Sequence, residues 1–140
     1  MKKISFLILL LLLTITVFSQ KQHEKYYQKR FAEYIHGKTE IVLDDRTRAD
    51  IVTDTFAIEV DFAHKWAESI GQSLHYADML HKKAGVLLIV NEKKDNKYID
   101  TLMSVAIKQN ITVWLIFIND NTWEKVNIVK EKDSTVRFIY

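Results

Sequence analysis

The chain has 140 residues, with 20 Lys+Arg against 18 Asp+Glu, no Cys and no Pro. The absence of Cys excludes disulfides and thiolate metal ligands, so the fold has to be held by packing. The near-balance of charge excludes a basic surface that grips nucleic acid everywhere, and any such binding has to come from a local patch.

The N-terminus, Met1-Lys2-Lys3 followed by an apolar run from Leu7 to Val17, has the layout of a secretory signal peptide. Val17 and Ser19 supply the small side chains before a cut after Ser19, and the run is shorter than the ~20 residues of a spanning helix. The expectation is a leader over 1–19, export to the periplasm or secretion, and no stable membrane partner after cleavage. Lys2 and Lys3 leave with the leader, so the remainder balances at 18 basic against 18 acidic residues. Residues 20–140 are enough for one domain and too few for two.

Residues 21–36 predict a helix, with Tyr27, Phe31, Tyr34 and Ile35 at helical spacing and Gly37 as its stop. Two short alternations, Thr39 to Leu43 and Arg48 to Val52, predict a hairpin about Asp44–Thr47, and Thr55 to Phe62 a third strand. A helix follows from Lys65 to about Lys82, built on Trp66, Ile70, Leu74, Ala77 and Leu80. Val86–Val90 is an unbroken apolar run of the kind covered on both faces of a sheet. Asp95–Gln109 predicts a further helix and Ile111–Ile118 a second buried strand, a β-α-β unit with a parallel pair and a right-handed crossover. Trp123 to Tyr140 predicts a closing hairpin around Lys130–Ser134. The order is α-β-β-β-α-β-α-β plus a C-terminal hairpin: an α/β domain with a mixed central sheet flanked by helices.

Strand periodicity puts Glu59 and Asp61 on one face of the third strand and Ile58, Val60 and Phe62 on the other. Two acids on one face of an apolar strand repel, and a divalent cation, which takes oxygen ligands, removes the conflict. Asp50 stands between apolar Ala49 and Ile51, and hairpin pairing would bring it beside Glu59. In the next helix Lys65, Glu68, Gln72 and Tyr76 make a polar stripe, and Lys65, four residues past Asp61, can fold back to the strand end. The bland reading of these residues is a solvated strand face and a wet helix face.

His64, His75 and His81 lack the i, i+4 pairing of a zinc site. Trp66, Trp114 and Trp123 read as packing residues. Lys82-Lys83 and Lys93-Lys94 with Lys97 read as solvated loops and as the one patch able to position phosphates.

The segments Arg48-Ala49-Asp50-Ile51, Ala57-Ile58-Glu59-Val60-Asp61, Lys65-Trp66 and Gln72-Ser73-Leu74-His75-Tyr76 together resemble the PD-(D/E)XK, restriction-endonuclease-like nuclease superfamily. Gln72 and Tyr76 are similar to the Q-x-x-x-Y motif of its RecB-like branch. The resemblance covers roughly 38–118 and implies a core of a helix, a three-strand meander, a helix and a further strand. It implies Asp50 and Glu59 as ligands of Mg²⁺ or Mn²⁺, the Val60 carbonyl as a third contact, and a lysine that orients the attacking water. The family places that lysine two residues after the Glu, where this chain has Asp61. Lys65 is placed to substitute for it, and Asp61 is an additional ligand if Lys65 does not reach. Gln72 and Tyr76 would contact the phosphate backbone or brace Lys65, with Glu68 beside them; Glu40 and Glu33 compete for the role of the family's helical acid. The function implied is an exported Mg²⁺-dependent nuclease hydrolysing phosphodiester bonds in DNA. Its alternatives are a catalytically inactive binding module on the same fold, and an envelope interaction protein with no nucleic-acid role.

Overall fold

The computed structural model describes residues 23–91 and 94–118, together with the backbone of the strands Val126–Val129 and Val136–Ile139. The leader over 1–19, Trp123 and Lys93 lie outside the described residues. The elements follow the predicted order. Helix α1 spans residues 23–34, and strands β1 (Lys38–Val42), β2 (Arg48–Val52) and β3 (Phe56–Phe62) form an antiparallel meander. A 3₁₀ turn over Ala63–Lys65 leads into α2 (Trp66–Leu80), then β4 (Lys83–Val90), α3 (Asn96–Gln109) and β5 (Thr112–Phe117). Strands β6 (Val126–Val129) and β7 (Val136–Ile139) close the chain as an antiparallel pair, the second beside the first.

The seven strands lie in sequence order in one mixed sheet. β3 pairs parallel with β4 and β4 parallel with β5, while β6 runs antiparallel to β5. Alternation along the central strands sorts their side chains into two apolar layers. Val86, Leu88, Val90, Val113 and Leu115 pack with Ile70, Ala77, Leu102 and Ala106 of α2 and α3. Leu87, Ile89, Trp114 and Ile116 pack with Tyr27, Phe31 and Ala32 of α1. The architecture is therefore three layers, α1 against one face and α2 with α3 against the other. β4 starts at Lys83, three residues before the apolar run that announced it, because its ladder with β3 begins at Phe56↔Lys83.

Each helix ends on a residue in the left-handed region that is not glycine: His36 (φ 55°), His81 (φ 52°) and Asn110 (φ 56°). The carbonyls left over at these ends are taken up by the next N–H groups: Gly37 to Ala32 at 2.8 Å, Lys82 to Ala77 at 2.9 Å and Ile111 to Ala106 at 3.0 Å. His36, and not Gly37, thus makes the turn out of α1. Gly37 answers a different need, since a Cβ there would sit 2.6 Å from Ile51 Cγ2.

Strand β2 does not keep a strict period of two. Ala49 belongs to the apolar layer beneath α2 and Ile51 to the layer beneath α1, although alternate residues of a regular strand share a face. The rotation falls at Asp50. Across from it on β1, between the pairs Thr39↔Ile51 and Ile41↔Ala49, stands Glu40 with φ 59°. A non-glycine residue in that conformation costs on the order of 1 kcal/mol, so its surroundings have to hold it. This local break in the meander is what builds the site.

Candidate functional site

The β2–β3 ladder runs through Val52↔Ala57 and Ile51↔Ile58. Beyond it the Asp50 side chain enters the ladder, and Val60 N–H donates to Asp50 Oδ2 at 2.9 Å. The Asp50 carbonyl accepts from Gln28 Nε2 of α1 at 2.8 Å. The same amide reaches Asp50 Oδ1 at 3.4 Å and donates to Glu40 Oε1 at 3.0 Å. Glu40 Oε2 in turn accepts from Arg48 Nε at 2.8 Å. Gln28, buried although polar, thus ties α1 to both strands at the point where they bend.

Asp50, Glu59, Asp61 and Lys65 all line one cleft of about 740 Å³. Its walls come from α1 through Glu24, from the β1–β2 hairpin through Val42, Arg46 and Arg48, and from α2 through Glu68, Gln72 and Tyr76. The acids predicted on the β3 face are therefore gathered with Asp50, and the polar stripe of α2 faces them. Val60 stands behind this wall, its side chain in the α1 layer and its N–H on Asp50. Glu40 is one step removed, supporting Asp50 through Gln28.

The electrostatics follow from burial. Glu59 is 7% exposed and its Oε2 has no hydrogen-bond partner among the described residues. Burial, together with the charges of Asp50 and Asp61, pushes its carboxyl up to about 9. Burial also raises Asp50 to about 6, against the opposing pull of the Val60 N–H. Asp61 is raised too, because its burial outweighs a bond to Lys65 Nζ at 3.1 Å and another from Phe62 N–H at 3.0 Å. Lys65 loses some stability as an ammonium through burial, but the bond and charge of Asp61, then Glu24 and Glu68, raise it overall. Glu24 Oε2 lies 4.0 Å from its Nζ. Burial, then Glu59 and Asp50, pushes the Tyr76 hydroxyl up to about 12, so it remains a donor.

These features test the fit of a divalent cation. Among the described residues no three His, Cys, Asp or Glu side chains stand together as a ready-made metal cage. Asp61 is engaged by Lys65 and by its own strand end. Asp50 already accepts from the Val60 N–H and the Gln28 amide, and the Glu59 Oε2, unpartnered among the described residues, is the kind of buried atom that a cation satisfies. A cation bound here would be held by Asp50 and Glu59 alone, two carboxylates and not three.

Several participants were not singled out by the sequence. The acid that α1 contributes to the cleft is Glu24, whereas Glu33 is exposed and lines no part of it. Glu24 and Gln28 are one helical turn apart, so an i, i+4 polar pair on a helix that precedes the meander is the signal that identifies them. The cleft cations besides Lys65 are Arg46 and Arg48. Lys83 pairs with Phe56 at the start of β3, the end remote from the acids, and Lys82 Nζ donates to the Asp54 carbonyl. Lys97 lies 4.7 Å over the Tyr98 ring and does not line the cleft. Trp114 is buried between Phe31 and Phe56, and Trp66 packs against the α2 layer.

No protein-family model, no curated protein and no solved structure matches this chain.

Proposed function

We propose that this protein is a metal-dependent phosphodiesterase of the PD-(D/E)XK nuclease type, acting on DNA with Mg²⁺ or Mn²⁺. The observation that carries the reading is the convergence of Asp50, Glu59 and Lys65 in one cleft around a buried Glu59 oxygen that has no partner among the described residues. The helix, three-strand meander, helix and parallel strand over residues 23–90 have the order that the resemblance implies. In this reading Asp50 and Glu59 hold the cation, which supplies Lewis-acid polarisation of the phosphate and a lowered pKa for water.

The chain's own groups supply the rest. Lys65, kept protonated by Asp61, presents an ammonium to the cleft, where it orients water or stabilises charge developing on the phosphate. Asp61 positions that ammonium. The Tyr76 hydroxyl and the Gln72 amide are donors placed for phosphate oxygens. Gln28 and the Val60 N–H hold Asp50 from behind and fix the direction of its carboxylate. The predicted leader places the reaction outside the cytoplasm.

One observation favours a second reading, a non-catalytic module that binds metal and nucleic acid. The position two residues after Glu59 is an acid, and Lys65 spends part of its charge on it. A single assay separates the two: incubation of purified protein with single- and double-stranded DNA, in Mg²⁺, in Mn²⁺ and in EDTA, beside Glu59→Ala and Lys65→Ala. Cation-dependent cutting that both substitutions abolish supports the nuclease. Metal-dependent binding without cutting by the wild-type protein supports the module.

A further inference from the structure

Among the described residues three cations line the cleft, Arg46, Arg48 and Lys65, together with five carboxylates, Glu24, Asp50, Glu59, Asp61 and Glu68. Lys65 is paired with Asp61, and Arg48 is held through its Nε by Glu40. Among the described residues Arg46 makes no ion pair, although five acids share its cleft.

The backbone around it is closed by several bonds. Arg46 has φ 70°, an uncommon conformation for a side-chain-bearing residue. Leu43 N–H donates to the Thr47 carbonyl at 2.9 Å, and Arg46 N–H to the Leu43 carbonyl at 2.9 Å. Asp45 Oδ1 accepts from the Thr47 N–H and its hydroxyl, while Asp45 Oδ2 lies 2.7 Å from His75 Nε2 on α2. The turn is thereby clasped to the helix that carries Gln72 and Tyr76. Val42, an aliphatic side chain 68% exposed, also lines the cleft.

We propose that the β1–β2 turn is a substrate-binding subsite of this cleft, in which Arg46, held by the Asp45–Thr47–His75 clasp, binds a phosphodiester next to the one at Asp50 and Glu59. The proposal rests on the phosphodiesterase reading and adds the length of substrate engaged. Lys65 and Arg48 are each held by a carboxylate, whereas Arg46 makes no ion pair among the described residues and is the cleft cation open to a phosphate. Val42 supplies an apolar contact for the attached sugar or base, which inorganic phosphate lacks.

The test measures binding of a short fluorescent DNA oligonucleotide by anisotropy over a series of salt concentrations, with kcat and KM for its cleavage in Mg²⁺ measured separately. Arg46→Ala is expected to weaken binding about fivefold, the size of one rim charge contact. It is also expected to flatten the salt dependence by about one phosphate contact, to raise KM and to leave kcat unchanged. Arg46→Lys should keep the salt slope, and His75→Ala, which frees the turn but leaves Arg46 in place, should show a smaller loss in the same direction. Inorganic phosphate should compete with the oligonucleotide only weakly. Wild-type affinity and slope in Arg46→Ala, or no oligonucleotide binding by the wild-type protein, overturns the subsite. Arg46-dependent binding by a wild-type protein that cuts nothing upholds the subsite and overturns the nuclease reading alone.

Discussion

Replacing Glu59 by Gln in the metal-free protein should stabilise it, by an amount that grows with pH. An ordinary Glu ionises near 4.5, and Glu59 ionises near about 9 in the fold. The raised value means that between these limits the folded protein holds a proton that the unfolded chain has released. The stability contribution is therefore complete below about pH 4.5 and is lost as pH rises toward about 9, at about 1.4 kcal/mol per pH unit. At neutral pH the accumulated loss is about 3 kcal/mol. Glutamine cannot ionise and escapes it, but its extra N–H needs a partner at a buried position, which lowers the net gain to about 2 kcal/mol. For a domain of this size that is a rise in Tm of about 8 °C. The assay is thermal unfolding by circular dichroism in EDTA, for both proteins, from about pH 5 to about pH 8. Taking the difference between them cancels the histidines and the carboxyls remote from the cleft. Added Mg²⁺ should stabilise the wild-type protein at the upper end of that range and leave Glu59→Gln almost unmoved. Parallel pH profiles for the two proteins in EDTA would refute the claim that burial among carboxylates keeps Glu59 protonated.

Three other outcomes follow from the same geometry. Lys65→Met should reduce cutting about 100-fold or more, in single-turnover cleavage with saturating Mg²⁺, while the fold survives because Lys65 is 39% exposed at its side chain; wild-type turnover would rule out its role. Gln28→Leu removes the donor to the Asp50 carbonyl and to Glu40 and should cost about 2 kcal/mol in urea unfolding, with a loss of cutting larger than the loss of folded protein. Gly85→Ala introduces a Cβ at 2.7 Å from Trp114 Cζ3 and 2.9 Å from Ile58 Cγ1. That overpacking of the α1 layer should cost about 1–3 kcal/mol and leave the cutting per folded molecule unchanged.

Periodicity carried much of the fold. Val86–Val90 and Val113–Ile118 are apolar at every residue, the pattern of a strand covered on both faces, and both lie in the parallel centre of the sheet. Glu59 and Asp61 were legible as one face because β3 keeps its alternation, with Ile58, Val60 and Phe62 in the α1 layer and Ala57 in the α2 layer. Asp50 was legible as an acid among apolar neighbours, but its place is not set by strand alternation. It depends on a rotation of β2 opposite a left-handed Glu40, and nothing in Arg48–Val52 announces that bend. Glu24 and Gln28 look like any wet turn of a helix until α1 is laid across the meander. Arg46 looks like a turn residue until the hairpin folds over the cleft.

By itself, then, the sequence determined the order and type of the elements, the apolar faces that pair them, and the repulsive pair Glu59 and Asp61 on one face of a strand. These are local consequences of side-chain period and propensity. Tertiary structure decided which groups join that pair: Asp50 and Gln28 through the break in the meander, Glu24 from the first helix, and Arg46 from a clasped turn. It also decided the protonation of Glu59. A carboxyl's charge state depends on how much water and how many neighbouring charges the whole fold leaves around it, and no stretch of local sequence encodes that sum.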